Sequence, residues 1–349
     1  PENQLRQIAL ELVLDTPVQL REAPIQLLDV SETSGGLIVA AIDEDGVFYD
    51  RRLSWRKNLL TGELRIKSKG SDLEPEVLGV SPNQLPYGLV LNDAGDLVLL
   101  VDEDGSTTVV ERDSEGELTV TGQTDLVPKE GARLTAMAFI AGRVSLAVGD
   151  DHGGLHVWFP VRDSATSAPV MQMVHTLGDQ QGVVTTLASS GRSRLVMAGY
   201  RDGTVRLYHV TSHRFLGESK LQEGPVISAA ISPREDILLA ANSVSSVVWE
   251  LDAPHPDISF GALMRPVWYE GYPAPSYVWQ SSAATDTFEP KLSLIPLIYG
   301  TLKATFYSML FGLPLGLLAA LYTSEFLDRR MRTRIKPVIE TMASLPSVV

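Results

Sequence analysis

Five segments within the first 252 residues repeat one pattern: a small or apolar strand, a polar turn, a second apolar strand, a tight turn and a third strand. They span residues 27–52, 88–112, 135–160, 185–210 and 228–252. The tight turns carry markers at intervals of 59, 49, 49 and 43 residues: Gly46, Gly105, Gly154, Gly203 and Ser246. Asp-Gly pairs at three of these turns predict two-residue hairpins, which need positive backbone angles. The repeat constrains the fold more than any single motif does, because stacked units bury their apolar faces on one another.

Short strands with this period predict the blades of a β-propeller. Two stretches resemble the WD40 family: Gly224–Asp236 leading into Val247-Val-Trp-Glu250, and Leu155-His-Val-Trp158. The resemblance implies an all-β, WD40/YVTN-like propeller over residues 1–252, with at least five blades here and about seven in the intact protein. The family's Gly-His dipeptide and unmodified Trp-Asp ending are missing from this sequence. Since an incomplete ring exposes sheet edges, we expect Glu2–Pro24 to finish an earlier blade and one or two blades to lie upstream of Pro1.

A long apolar run, Leu292–Tyr322, follows the repeats, and its one charge in 31 residues is Lys303. A hydrocarbon core about 30 Å thick needs about 20 apolar residues of helix, so we predict a membrane span over about 292–322. A buried helix of a soluble protein is the alternative, which the nineteen uncharged residues of Ala304–Tyr322 disfavour. Glycines and prolines within the run favour packing in a bundle of membrane helices.

Five basic residues follow the run within eight positions: Arg329, Arg330, Arg332, Arg334 and Lys336. The positive-inside rule places them in the cytoplasm. We therefore expect a cytoplasmic loop at about 325–336 and the start of a second membrane helix at 337–349. Residues 1–290 then lie in the periplasm or outside the cell.

The charge divides along the same boundary. The chain has 29 Lys and Arg against 43 Asp and Glu, a net charge of −14, of which residues 291–349 contribute +4 and residues 1–290 contribute −18. Strong acidity argues against a nucleic-acid partner and against a phosphate-receptor role for the repeat domain. The absence of cysteine from the sequence excludes thiol catalysis, zinc ribbons and iron–sulfur ligation by its residues.

The C-terminal segment contains a set of spaced motifs: Pro296-Leu-Ile-Tyr-Gly-Thr-Leu302, Pro314, Tyr322-Thr-Ser-Glu-Phe326 and Ile335–Val349. In these motifs it resembles the phosphate-specific ABC transporter permeases of the PstC type. It covers residues 291–349 well and residues 260–290 loosely. It implies a multi-pass subunit of the cytoplasmic (inner) membrane that imports inorganic phosphate, while a separate subunit hydrolyses ATP.

The same resemblance implies three protein partners: a second permease subunit, an ATP-binding subunit and a periplasmic phosphate-binding protein. Because the sequence starts at Pro1 without a Met and stops at Val349 within an apolar run, we interpret it as an internal fragment of a longer protein. The resemblance implies that the repeat domain is inserted before the second membrane helix of the permease. The lipid of the membrane is a further expected partner.

Within the predicted span, Thr301, Lys303 and Glu325 are the candidates for the substrate path. Lys303 either snorkels to the outer interface or lines a pathway. The basic cluster, with Glu325, is expected at the cytoplasmic mouth. Residues 253–290, rich in Pro and aromatics, are expected as a linker that either rests at the membrane surface as an aromatic belt or packs as a loop beneath the propeller.

No catalytic, cofactor or metal site is predicted. The pairs His152/His156 and His209/His213 have the spacing of zinc ligands on helices, but both cross strand ends and turns. The acidic turns at residues 43–45, 102–104 and 150–151 are interpreted as solvated hairpin tips, with weak calcium binding as the alternative. No phosphate-binding loop or nucleophile elbow occurs in the sequence.

Two other function classes remain open. One is a membrane-tethered propeller that acts as a sensor or scaffold without transport, and the other is a propeller enzyme. For the leading hypothesis, the propeller is expected to contact other proteins.

Overall fold

The computed structural model describes residues 23–33, 36–57, 64–79, 85–113, 116–162, 168–178, 182–282 and 288–344. The predicted earlier blade, up to Glu22, and the end of the predicted second membrane helix, from Leu345, lie outside these residues. Most of the described chain before residue 252 is β-structure in small antiparallel sheets.

Each repeat segment folds as one antiparallel sheet whose neighbouring strands follow chain order. Sheet I contains β1 (Ile25–Thr33), β2 (Gly36–Asp43), β3 (Phe48–Lys57), β4 (Leu64–Lys69) and β5 (Asp72–Leu73), the last of which pairs with β3. After the short helix α1 (Pro75–Leu78), sheet II contains β6 (Gly88–Leu91), β7 (Leu97–Val101), β8 (Ser106–Arg112) and β9 (Leu118–Asp125). Sheet III contains β10 (Leu134–Phe139), β11 (Leu146–Asp150), β12 (Leu155–Arg162) and β13 (Pro169–Leu177). Sheet IV contains β14 (Val184–Ser189), β15 (Leu195–Tyr200), β16 (Thr204–His209) and β17 (Arg214–Lys220). Sheet V contains β18 (Ser228–Ile231), β19 (Ile237–Ala241) and β20 (Ser246–Glu250).

Successive sheets pack face to face, so the second strands of sheets II, III and IV are buried on both sides. This double burial explains why these strands read as continuous apolar runs rather than as alternating ones. The apolar clusters join I to II, II to III, III to IV and IV to V in turn. Each large apolar side chain buried there stabilises the fold by about 1.5–3 kcal/mol. Stacking in chain order is what a propeller requires, but no closed ring is seen among the described residues, and closure stays a prediction.

The tight turns differ from the predicted two-residue hairpins. Gly46, Gly105 and Gly203 have positive φ, as predicted, but the aspartates before them do not. In the first turn, Gly46 N–H donates to the Asp43 carbonyl and Asp43 N–H donates to the Val47 carbonyl, both at 3.1 Å. This is a type I turn followed by one left-handed residue, the usual longer hairpin, and it requires glycine at the left-handed position alone.

The third turn follows the same plan with Gly153, not the expected marker Gly154, at the left-handed position. The Asp150 carboxylate lies beneath this turn and accepts the backbone N–H groups of His152 at 2.8 Å and Gly154 at 2.7 Å. The Asp43 carboxylate accepts two backbone N–H groups in the first turn in the same way. These two buried aspartates therefore shape their turns, whereas the sequence predicted them to be solvated.

Sheet V has an apolar outer face that nothing in the described chain covers. Counted from the turn before the second strand, its Leu239 and Val248 correspond to Met197 and Leu207 of sheet IV. Met197 and Leu207 are 0% and 4% exposed because sheet V packs on them. Leu239 and Val248 are 40% and 61% exposed. The face therefore has apolar residues at the positions that form sheet-to-sheet interfaces elsewhere, although no described sheet packs on it.

The linker packs beneath sheets III and IV and leads directly to the apolar helix. It contains α2 (Phe260–Met264) and β21 (Trp279–Gln280), which forms a two-stranded ribbon with β22 (Lys291–Leu292) just after the linker. Ser293 N–H donates to the Val278 carbonyl at 3.0 Å, and Leu294 N–H donates to the Leu263 carbonyl at 2.9 Å. The next residue begins the helix, so no unpaired segment separates the two.

The helical part consists of α3 (Ile295–Leu321), a π-helical turn (Tyr322–Phe326) and α4 (Arg329–Ser344). Residues 329–336 of the predicted cytoplasmic loop are helical, because α4 begins at Arg329, eight residues before the predicted helix start at 337. The cytoplasmic location of this segment stays a prediction. Asp328 explains the early start: its carboxylate accepts the Arg330 N–H and its carbonyl accepts the Arg332 N–H. An aspartate at this position caps a helix, and the Arg, Lys and Met residues that follow favour helical structure.

Candidate functional site

Helix α3 is the candidate membrane-spanning element. Together with the π-helical turn it covers 32 residues, and its most apolar stretch of 18 residues has a mean hydropathy of 1.7. Within the described chain it is the one helix long and apolar enough to cross a membrane. The 27 residues of α3 span about 40 Å, more than the hydrocarbon core of about 30 Å. None of its residues is buried by the rest of the chain, which argues against the alternative of a buried helix in a soluble protein.

The three candidates for the substrate path do not converge on α3. Thr301 and Lys303 are two positions apart, which places them on roughly opposite sides of the helix at about 100° per residue. Glu325 lies in the π-helical turn, about 36 Å farther along the axis from Thr301. The Thr301 hydroxyl donates to the Leu297 carbonyl, and Lys303 Nζ lies 5.9 Å from the centre of the Tyr307 ring. A path that uses all three residues would need helices beyond this chain.

The basic cluster occupies the first half of α4 and is exposed, apart from the half-buried Arg332. Arg332 Nη2 donates to the Ser324 carbonyl at the end of α3. Lys336 Nζ lies 3.9 Å from Glu340 Oε1, an exposed pair one helical turn apart that contributes little to stability. The cluster is therefore placed at the end of the apolar helix by one direct contact and is otherwise available to partners.

A buried charge network that sequence reasoning missed joins the linker to sheets III and IV. Arg194 Nη2 lies 2.6 Å from Glu270 Oε2, and its Nη1 donates to the Ala141 carbonyl at 2.7 Å. Glu270 also accepts the Ser145 hydroxyl. These residues lie up to 125 positions apart, so no local pattern could pair them. The one available signal is that the linker places isolated carboxylates among Pro and aromatic residues.

Glu289 completes the network from the other end of the linker. It accepts the Thr211 hydroxyl, and its Oε1 lies 3.9 Å from Arg194 Nε. Burial raises the pKa of Glu289, and the nearby Glu270 raises it further, against the opposing effects of Thr211, Arg194 and Lys291. The network therefore holds the segment just before α3 onto sheets I to V, called the sheet domain below. Burial favours the neutral form of one of its carboxyl groups, that of Glu289.

The linker aromatics pack on the sheets in the part that is closest to them. Tyr269 is 1% exposed, and the Trp268 ring meets Phe159 of sheet III edge to face at 6.1 Å. These residues follow the packed-loop interpretation rather than the aromatic belt. Tyr277 and Trp279 remain exposed and are the linker aromatics placed nearest to α3 along the ribbon.

The two histidines of the pair His209/His213 contact different partners. His209 Nδ1 lies 2.9 Å from the Ser212 hydroxyl, whereas His213 Nε2 lies 2.6 Å from His175 Nδ1. Burial lowers the pKa of His175 to about 3 and that of His209 to about 4. Both therefore stay neutral near pH 7 and serve as packed hydrogen-bonding groups.

Comparison with known proteins gives one partial likeness. No protein-family model matches the chain. A stretch of 61 residues is 34% identical to the probable ABC transporter permease protein YqgH of Bacillus subtilis (strain 168). The match covers 18% of this chain and 20% of that protein, so the chain spans about a fifth of the length of the relative it matches. The likeness points to a relation with ABC transporter permeases, and hence to a membrane subunit of a transporter.

Proposed function

We propose that this chain belongs to the permease subunit of an ABC importer that moves inorganic phosphate across the cytoplasmic membrane. The observation that carries the proposal is the exposed apolar helix α3 followed at once by the basic helix α4, together with the partial likeness to a permease. The charge asymmetry supports residues 1–290 outside the cytoplasm and α4 inside it. A second permease subunit, an ATP-binding subunit and a periplasmic phosphate-binding protein are the proposed partners.

We further propose that the five sheets are blades of a closed, WD40-like propeller. The uncovered face of sheet V supports this, because its apolar residues occupy the positions that bury against the next sheet elsewhere in the stack. The acidic sheet domain would repel phosphate on average, so its proposed role is contact with another protein of the transporter.

Phosphate uptake tests the proposal. A strain in which the gene is deleted is complemented with the full-length protein or with a version that lacks the sheet domain, and uptake of labelled phosphate is measured at low external phosphate. We expect the full-length protein to restore uptake and the shortened version to restore it less. If deletion of the gene leaves the uptake of phosphate unchanged, the importer assignment is wrong, and the membrane-tethered sensor or scaffold becomes the better interpretation.

A further inference from the structure

We propose that α4 lies in the plane of the membrane surface and binds anionic phospholipid headgroups on the side where α3 ends. The proposal rests on the membrane crossing of α3 but not on transport of any particular solute. It assigns one occupant to the exposed faces of α4, a lipid surface of negative charge.

The first support is an apolar stripe along α4. Met331, Ile335, Val338, Ile339 and Met342 follow one another at steps of four, three, one and three residues, which places them on one face of a helix. All except the half-buried Ile335 are at least half exposed, and Ile335 and Ile339 also line the cleft beside Thr323 and Leu327. An apolar face of this width beside strongly charged residues is typical of helices that lie in a membrane interface.

The second support is the distribution of the basic residues about that stripe. At about 100° per residue, Arg329, Arg332 and Lys336 fall on one flank and Arg330 and Arg334 on the other. Long basic side chains on both flanks can extend from the interface to the headgroups while the stripe faces the hydrocarbon. Glu340, the one acidic residue of α4, lies on the polar face opposite the stripe.

The third support is position. Two residues separate the π-helical turn at the end of the apolar segment from Arg329, so α4 starts at the level of the membrane surface. Five basic residues in its first eight positions make insertion of this half into hydrocarbon costly. The surface is the location that satisfies both the stripe and the charges.

A cleft of about 460 Å³ between the end of α3 and α4 offers a place for one headgroup. Thr323, Ser324, Arg332 and Lys336 line it, together with Glu340 beside Lys336 and the apolar Leu327, Ile335 and Ile339. Arg332 Nε is buried and has no hydrogen-bond partner in the part of the chain that the structure describes. A phosphodiester oxygen supplies the acceptor that this donor lacks, and anionic lipids bring both that group and the net charge that the cluster attracts.

Single-cysteine labelling tests the proposal, because the sequence has no cysteine of its own. The full chain carries a fluorophore at Met331→Cys or Met342→Cys on the stripe, or at Glu340→Cys on the polar face, in vesicles of phosphatidylcholine with or without phosphatidylglycerol. Lipids brominated in the acyl chain report contact with lipid, and aqueous iodide reports contact with water. We expect lipid quenching at both stripe positions and iodide quenching at position 340. Lipid quenching should fall when phosphatidylglycerol is omitted or the salt concentration is raised.

A charge variant supplies the second measurement. Each basic side chain near an anionic surface shifts the equilibrium between detached and membrane-bound α4 about fivefold toward the bound state. The triple variant Arg329→Gln, Arg332→Gln and Lys336→Gln should therefore shift this equilibrium about 100-fold toward the detached state and reduce lipid quenching on the stripe. The matched control replaces Lys129, Arg201 and Arg234, three exposed basic residues of the sheet domain, and should leave the lipid quenching unchanged.

Two outcomes overturn the proposal. Stripe positions that are shielded from both quenchers show that α4 packs on protein, and stripe positions quenched by iodide in both lipid mixtures show that α4 stays in water. A label at Leu310→Cys, in the middle of α3, shows independently whether α3 lies in the membrane. Lipid quenching at position 310 without lipid quenching on the stripe contradicts the α4 proposal alone.

Discussion

Glu270 and Glu289 approach the same guanidinium group, yet the structure gives the two carboxylates different roles. Glu270 makes the close ion pair with Arg194 at 2.6 Å, whereas Glu289 lies at 3.9 Å and in a more deeply buried position. The pKa of Glu289 is raised from its ordinary value of 4.5. Its contribution to stability is therefore fully present below about pH 4.5 and is lost as the pH rises through the folded-state pKa. At pH 7, above that ordinary value, the burial of this carboxyl therefore opposes folding.

Glu289→Gln tests this difference. The amide keeps an acceptor for Thr211 and removes the buried charge, so we expect the variant to unfold at higher urea than the parent at pH 7. The two should converge as the pH falls below about 4.5, where the parent is also neutral. Unfolding of the full chain in detergent, followed by tryptophan fluorescence at both pH values, measures the effect.

Glu270→Gln is the matched control. This change weakens the ion pair with Arg194, so we expect a loss of about 1.5–3 kcal/mol at pH 7, the range for hydrogen bonds to charged groups. If both variants lose stability equally at pH 7, Glu289 is a second partner of Arg194 rather than a buried acid that opposes folding.

At the scale of elements, the uncovered face of sheet V gives a direct test of ring closure. If a further sheet covers this face in the intact protein, Leu239→Ala removes a buried side chain and costs about 2–5 kcal/mol. On an open face the same change stays within about 0.5 kcal/mol. Chemical unfolding of the intact protein measures the difference.

Val244→Ala is the control, because Val244 lies in the turn between β19 and β20 and is 78% exposed. We expect it to change stability by less than about 0.5 kcal/mol. A value for Leu239→Ala as small as that of the control would contradict closure at this edge.

The elements show how far a sequence can lead. All five repeat segments coincide with the first three strands of a sheet, because apolar strands between turns follow directly from burial on two faces. The fourth strands of sheets I, II and IV lie at the outer edge, carry mostly polar residues and therefore lack that signal. The helical start at Arg329 was missed because a run of charges is as typical of a loop as of an exposed helix. The network of Arg194, Glu270 and Glu289 depends on tertiary proximity, which no local spacing encodes.

At the scale of the whole molecule, labelling of single introduced cysteines can test the proposed orientation, because the sequence has no cysteine of its own. Arg201→Cys labels an exposed turn of the sheet domain, and Thr333→Cys labels the exposed side of α4. We expect a membrane-impermeant maleimide to modify position 201 in intact spheroplasts and position 333 only after permeabilisation, because the proposed orientation places the basic cluster in the cytoplasm. The reverse pattern would invert the topology, and labelling of both positions in intact spheroplasts would contradict a membrane crossing by α3.

The direct junction between the sheet domain and α3 has a mechanical consequence. Backbone hydrogen bonds hold Ser293 and Leu294 to the linker, and the helix begins at the next residue. No unpaired residue therefore separates the linker from α3. A helix about 40 Å long then acts as a lever arm, and a rotation of the sheet domain by about 10° displaces its far end by about 7 Å. If α3 crosses the membrane as proposed, a protein that docks on the sheet domain would thereby move the end of α3 on the opposite side.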